Sequence, residues 1–199
     1  WFIMLGRVWN FSGDESASVS SDYTESIQDE QPLVDPAQEE TDDREPMLEL
    51  KAYLQPGFTN NWVEGIREIR LESDNWNGVF AKRNSVRKLS LNAWGIESNL
   101  ASLASYLQSM HHLESLSLDD NVSMAGNLSD LARLTNLRTL SIARSARVSG
   151  DLKDLAHMRH LRALFCDGTA VHGSLAGLDA CTQLMVLSLP NTDVSGSPV

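Results

Sequence analysis

The sequence predicts an α/β solenoid, with short parallel strands stacked along one curved face and helical or irregular turns along the other. Three observations predict it. A short apolar phrase recurs at a nearly constant interval, each copy holds an alternating L-x-L-like core, and in the last four copies a glycine follows that core closely. The copies open at Val86 (VRKLSLNAW), Leu113 (LESLSLDDN), Leu137 (LRTLSIARS), Leu161 (LRALFCDGT) and Leu184 (LMVLSLPNT), at intervals of 27, 24, 24 and 23 residues. A period of this size marks a repeat architecture. Two apolar residues separated by one other point to the same side of a strand, so each core buries its leucines and displays their neighbours. One unit alone cannot cover its apolar side; stacked units can.

Taken from the N-terminus, residues 1–11 (WFIMLGRVWNF) form a short apolar stub, well below the roughly 20 apolar residues that span a bilayer. Residues 12–45 form an acidic tail. From Gly13 to Leu50 there are 13 acidic residues and one basic, whereas from Lys51 onward 14 of each sign cancel, so the net charge of -11 belongs to the tail. Rich in Ser, Asp, Glu, Gln and Pro, the tail buries too little surface to offset the entropy of ordering and is expected to be disordered. Ser12 and Ser26 each have an acidic residue three positions on, Glu15 and Asp29, which suits an acid-directed kinase.

Residues 46–85 are expected to close the start of the solenoid. Pro46 at the first helical position begins a short helix with Met47, Leu50, Tyr53 and Leu54 on one face, and Pro56-Gly57 ends it. Residues 86–199 hold the five units. The first is longest, and ESNLASLASYLQSMHHL should fold as a full helix with Leu100, Leu103, Leu107 and Met110 inward. In later units NLSDLARL, DLKDLAHM and SLAGLDAC carry apolar residues at helical spacing, and Gly126, Gly150, Gly173 and Gly196 permit a bend before them. The chain begins at Trp1 and stops at Val199 partway through a phrase, so it is expected to be part of a longer protein, with the last core around Leu187 and Leu189 left open.

The unit pattern, L-x-x-L-x-L-x-x-(N/T/S) followed by Gly-x-Leu, resembles the leucine-rich repeat family over roughly residues 86–199. Asn61-Trp62, then WNGV (Trp76 to Val79), then a strand, resembles the N-terminal cap of plant-type members, though Asn75 and Phe80-Ala81 stand where those caps carry a cysteine pair. The resemblance implies that the ninth-position side chains Asn121, Ser145, Thr169 and Thr192 form a ladder to neighbouring turns. Ser and Thr reach less far than Asn, so that ladder should weaken toward the C-terminus. It also implies a non-enzymatic protein- or peptide-binding module, with a receptor or receptor-like-kinase ectodomain and a structural scaffold as alternatives.

Little else in the sequence carries chemistry. The body has no basic stripe to replace the counterions of a nucleic acid. Cys166 and Cys181 fall on inward positions, and a reactive thiol needs an exposed, electropositive setting. His157 and His160 have a metal-like spacing but fall on surface positions; His112, equivalent to His160, lies two units away, too far to share an ion. No cofactor, metal site or catalytic motif is expected. Of the sequons at Asn10, Asn121 and Asn127, Asn121 is also a ladder residue. The candidate partner site is the outward strand face: Ser90 and Asn92; Ser117, Asp119 and Asp120; Ser141 and Arg144; Phe165 and Asp167; Ser188 and Asn191. Ser90, Ser117, Ser141 and Ser188 form a row broken by Phe165, and small residues let a partner's backbone approach. The expected partner is a protein or peptide. Cytoplasmic and membrane-attached extracellular locations both fit, the latter through segments outside this stretch.

Overall fold

The computed structural model describes residues 42–54, 78–82 and 85–196, together with the backbone of 2–4 and 7–9. Ser12, Ser26, most of the acidic tail, Asn61-Trp62 and Trp76 lie outside the described residues. The strands are β1 (Phe2–Met4), β2 (Arg7–Trp9), β3 (Val79–Lys82), β4 (Ser85–Ser90), β5 (Ser115–Ser117), β6 (Gly126–Asn127), β7 (Thr139–Ser141), β8 (Val148–Asp151), β9 (Ala163–Phe165), β10 (Ala170–Ser174), β11 (Val186–Ser188) and β12 (Asp193–Ser195). The helices are α1 (Arg44–Tyr53) and α2 (Leu100–Leu107).

One strand per unit builds the concave sheet: β4, β5, β7, β9 and β11 pair in parallel with no slip, Leu89, Leu116, Leu140, Leu164 and Leu187 facing one another in turn. An antiparallel strand closes each end of this run. β3 lies against β4, with a bulge at Phe80/Ala81, and β1, itself paired with β2, lies against β11. Leu187 and Leu189 are 3% and 2% exposed, so the last core is not open as the sequence suggested: β1 pairs with the strand edge beside it. A second parallel sheet, β6, β8, β10 and β12, runs along the flank after each ninth position. Its strands are too short and polar to announce themselves by alternation.

Each convex segment follows a capping residue at the end of that second sheet. Asn99 accepts from the Ala101 amide at the start of α2. Asn127, Asp151 and Ser174 accept in the same way from Ser129, Lys153 and Ala176. Such caps satisfy amides that have no partner inside the turn. Only unit 1 has an α-helix here; units 2 to 4 make single 3-10 turns, Leu128–Leu131, Leu152–Leu155 and Leu175–Leu178. With 24 rather than 27 residues per unit, there is no room for more. The expected inward residues Leu100, Leu103, Leu107 and Met110 are all buried. His112 is buried while His160 is exposed, against the surface position expected for both.

α1 begins at Arg44, two residues earlier than Pro46 suggested. The first intrahelical bond runs from the Met47 amide to the Asp43 carbonyl at 2.9 Å, so proline stands in the first turn, where amides lack helical partners anyway. Met47, Leu50 and Leu54 are buried, and the Tyr53 ring lies 4.7 Å from that of Tyr106 on α2. Asp43, counted with the acidic tail by composition, is fully buried and accepts from the Val86 amide at 2.7 Å, fastening the helix to the first strand. Gly78 explains its own identity. Its φ is +79°, its carbonyl accepts from the Ser90 amide, and a Cβ would stand 2.1 Å from the Ser90 carbonyl oxygen.

Candidate functional site

The strand face is shaped by the seventh and eighth positions of each unit. The eighth residues Ala93, Asp120, Arg144, Gly168 and Asn191 all have φ between 55° and 62°. This left-handed kink ends each strand and turns the eighth amide toward the next unit. Ala93, Asp120, Arg144 and Gly168 donate to the carbonyls of Asp119, Ala143, Asp167 and Pro190 at 2.6–2.9 Å. The kink also throws the eighth side chain outward, where Arg144 Nε and the Asp120 carboxylate pair at 2.6 Å with both side chains partly open to solvent.

The seventh residues make a polar ladder on the strand face. Asn92 Oδ1 accepts from the Ser117 hydroxyl (2.7 Å) and the Asp119 amide (2.9 Å) of the next unit. Asp119 Oδ1 accepts from the Ser141 hydroxyl (2.5 Å) and the Ala143 amide (2.8 Å). Asp167 Oδ1 accepts from the Ser188 hydroxyl at 2.6 Å. The rung between units 3 and 4 is missing. Ala143 offers no oxygen, and the residue that would donate to it is Phe165 rather than serine. The break in the serine row and the loss of the acceptor are therefore one event. Ser117, Ser141 and Ser188 serve this ladder, a role that the small-residue reading of the row did not contain.

Of the eleven candidate residues, Asn92, Arg144 and Asn191 are exposed, and Ser90, Ser117, Asp120 and Asp167 are half-buried. Asp119, Ser141, Phe165 and Ser188 are buried, at 1%, 4%, 4% and 7% exposure, which corrects their reading as displayed residues. Phe165 joins Ala163 and Val186 in an apolar cluster separate from the main core. Burial raises the pKa of Asp119 above its ordinary 3.8, outweighing the Ser141, Ala143 and Ser117 donors and the Arg144 charge that pull it down. Burial likewise raises that of Asp167. Asp120 goes the other way, lowered by its hydrogen bond to Arg144.

The ninth-position ladder loses reach along the chain. Asn121 Nδ2 donates to the Leu91 and Leu118 carbonyls, both at 2.9 Å, and its Oδ1 accepts from the Ile96 amide, so it spans two units. Ser145 reaches back only one unit, donating to the Leu118 carbonyl at 3.0 Å and accepting from the Asn121 amide at 3.3 Å. Thr169 and Thr192 bond the Cys166 and Leu189 carbonyls of their own turns. Asn121 is fully buried, so its sequon is shut inside the fold. Cys166 and Cys181 are buried, with thiol pKa values pushed up by desolvation. Among the described residues, no three potential ligands gather as for a metal, and no helix is long and apolar enough to cross a membrane. A cavity of about 240 Å³ beside α1, lined by Tyr53, Leu54, Trp94 and Ile96 among others, is smaller than the usual small-molecule site of about 300–1,000 Å³.

No family model matches the chain, and no curated protein sequence matches it. Solved structures do. The BIR2 ectodomain of Arabidopsis thaliana matches with a TM-score of 0.61 at 22% identity, over 79% of this chain and 84% of that one. The fold is a leucine-rich repeat solenoid. The leucine-rich repeat ectodomain of the Arabidopsis receptor kinase SOBIR1 matches at a TM-score of 0.55 and 16% identity, over 78% of this chain and 82% of its own. The Arabidopsis receptor kinase HAESA ectodomain, solved with an IDA peptide hormone ligand, matches at 0.53 and 18% identity, over 77% of this chain but 29% of its own.

Proposed function

We propose that this leucine-rich repeat chain is a non-enzymatic protein- or peptide-binding module that recognises its partner on the concave strand face. The observation that carries this is the seventh-position ladder. It holds the strand face in one arrangement before any partner arrives, so little order remains to be imposed on binding. Around it, Asn92, Asp120, Arg144 and Asn191 project outward and offer both charge signs. The peptide held by the similar HAESA ectodomain supports the same reading. In this reading the acidic tail is a regulatory arm, with Ser12 and Ser26 as its phosphorylation sites. The test is selection of binders from a random peptide library on the full chain. Selected peptides should lose at least tenfold in affinity on Arg144→Glu and keep it on Arg133→Glu, a substitution on the convex segment. Peptides indifferent to both would overturn the proposal.

A second reading is the ectodomain of a membrane receptor, favoured by the likeness to Arabidopsis receptor ectodomains. Sequencing the full-length transcript decides it. A spanning segment downstream supports a receptor; further repeats and a stop codon support an adaptor.

A further inference from the structure

The fold gathers charge that the sequence keeps apart. On β3 and β4 the outward residues include Phe80, Lys82 and Lys88, while Ala81 and Leu89 turn into the core. Lys82 lies opposite Ser85 at the start of β4. Phe80 lies opposite Lys88, whose Nζ stands 5.7 Å from the centre of the Phe80 ring. That ring is 56% exposed, and it is the largest exposed apolar side chain among the described residues. Along the same edge the second residues of units 1 to 3 form a row. Arg87 and Arg138 share the Glu114 carboxylate, at 3.1 and 3.5 Å. Two guanidiniums on one carboxylate leave a positive charge over, and among the described residues Lys82 and Lys88 pair with no carboxylate. Asp43, which bonds the Val86 amide beside this row, is fully buried. At the other end of the strands stand Asp167 and Asp120, the latter paired with Arg144. The strand face is therefore cationic along the edge where its first three units begin and more acidic along the edge where they end.

We propose that the cationic edge docks an acidic peptide, with a run of about four Asp or Glu residues laid across the strands and an apolar residue against Phe80. This names the partner of the strand face and rests on that face being the recognition surface. From β3 to β7 there are three strand spacings, about 14 Å. Extended chain at about 3.3–3.6 Å per residue covers that distance with about four residues. Carboxylates in the run meet Lys82, Lys88 and the surplus charge of the Arg87–Glu114–Arg138 row, and ionised donors make the stronger hydrogen bonds. The far edge sets the orientation. An acidic run laid along the strands would end against Asp120 and Asp167, whereas one laid across them stays clear. The rest of the peptide then crosses unit 3 from Arg138 to Arg144, six residues along the chain and about 20 Å. Complementary charge speeds encounter and rejects partners of the wrong sign. The Phe80 contact asks for more than charge, since buried aromatic contacts carry much of the energy of an interface.

The experiment is calorimetric titration of the full chain with two synthetic peptides, Trp-Glu-Glu-Glu-Glu and the same residues in reverse order. The double variant Lys82→Glu with Lys88→Glu alters two exposed side chains that hold no ion pair among the described residues. It should bind the better peptide about tenfold more weakly. Phe80→Ser should weaken binding about threefold, and Arg133→Glu on the convex segment should leave it unchanged. Added salt should weaken binding too, because exposed charges are screened beyond about 8 Å at physiological ionic strength. Where the double variant fails to fold, Lys82→Gln with Lys88→Gln replaces it, with a loss in the same direction. No binding of either peptide, or equal binding by the lysine variant, overturns the proposal. So does an oligothymidylate of equal charge bound as tightly as the peptide, or indifference to Phe80→Ser, because the edge would then read charge alone. Library peptides sensitive to Arg144→Glu but indifferent to the lysine variant would sink the acidic dock and leave the binding module standing. No concave-face binder at all would sink both.

Discussion

Units 1 to 3 and units 3 to 5 share one backbone plan but are joined by different chemistry. In the first stretch polar side chains reach from turn to turn. Asn92 binds unit 2, Asp119 binds unit 3, and Asn121 ties together Leu91, Ile96 and Leu118. In the second stretch Thr169 and Thr192 bond only their own turns, one rung of the strand-face ladder is absent, and Phe165 with Val186 fills the face instead. The backbone rungs from the eighth amide are the same throughout. The difference teaches that the backbone sets the stack, while side-chain length decides whether adjacent units are also cross-linked.

The sharpest way to break this comparison is at the ninth position. Asn121→Ala removes two donors and an acceptor at a fully buried site, leaving the Ile96 amide and the Leu91 carbonyl without these bonds and the Leu118 carbonyl with only Ser145. At about 1–3 kcal/mol for each buried group left unsatisfied, we expect a loss of about 3 kcal/mol or more. Thr169→Ala removes one local bond and should cost about 1 kcal/mol. Urea unfolding of the two variants measures both. Equal losses would mean that cross-unit reach contributes nothing. Between these lies Asp43→Ala, which leaves the Val86 amide unpaired and should cost about 2 kcal/mol, a test of whether α1 is fastened to the repeats or only rests on them.

The strand-face ladder offers a comparison within itself, since Asn92 and Asp119 play one role with a neutral and an acidic side chain. Burial raises the folded-state pKa of Asp119 above 3.8, so its protonated form is favoured on folding. The folded chain then holds more protons than the unfolded one as pH rises from 3.8 toward the folded value. This contribution to stability is fully present below 3.8 and is lost across that window. Asp119→Asn keeps an oxygen for Ser141 and Ala143 and removes the burial of a charge. We expect it to gain about 1 kcal/mol at pH 7 and to flatten the fall in stability above pH 3.8. Asp119→Ala should lose about 2 kcal/mol for two abandoned donors. A less stable Asp119→Asn chain at pH 7 would show that the Arg144 charge, and not the hydrogen bonds, holds this carboxylate.

The solenoid was legible because burial repeats: five copies of one apolar phrase fix strand, phase and inward set without any long-range information. The cross-unit ladder was half legible. Its ninth position follows from side-chain length, and the fading from Asn121 to Thr169 is what the residues suggest. The seventh position was missed because Asn92, Asp119 and Asp167 read as display residues when each unit is taken alone. Only the offset between Asp119 and Ser141, one strand over, shows a donor meeting an acceptor. The signal was present in the pairing of Ala143 with Phe165, where both partners change together. The second sheet was not legible, since β6, β8, β10 and β12 run for only two to five residues with at most one valine apiece and follow from the turn of the backbone. Nor was the pairing of β1 with β11, which joins the two ends of the chain and leaves no periodic trace.

The smallest expected effect concerns the kink that all five units share. Its residue types, Ala93, Asp120, Arg144, Gly168 and Asn191, do not look like one position, yet each has φ near 60°. Asp, Asn and Gly tolerate this region; alanine does not, at a strain of about 1–2 kcal/mol. Glycine at position 93 relieves that strain and adds about 0.5–1 kcal/mol of unfolded-chain entropy, so Ala93→Gly should be more stable by about 0.5–1 kcal/mol. Gly168→Ala is the reverse experiment in the C-terminal stretch. A Cβ there meets nothing nearer than the Arg144 Cα at 3.9 Å, so its cost is conformational alone and should be about 1 kcal/mol. Opposite signs of similar size would place the kink in the backbone plan common to both halves. A Gly168→Ala cost far above the Ala93→Gly gain would mean instead that the C-terminal stretch, with fewer side-chain rungs, leans harder on its turn.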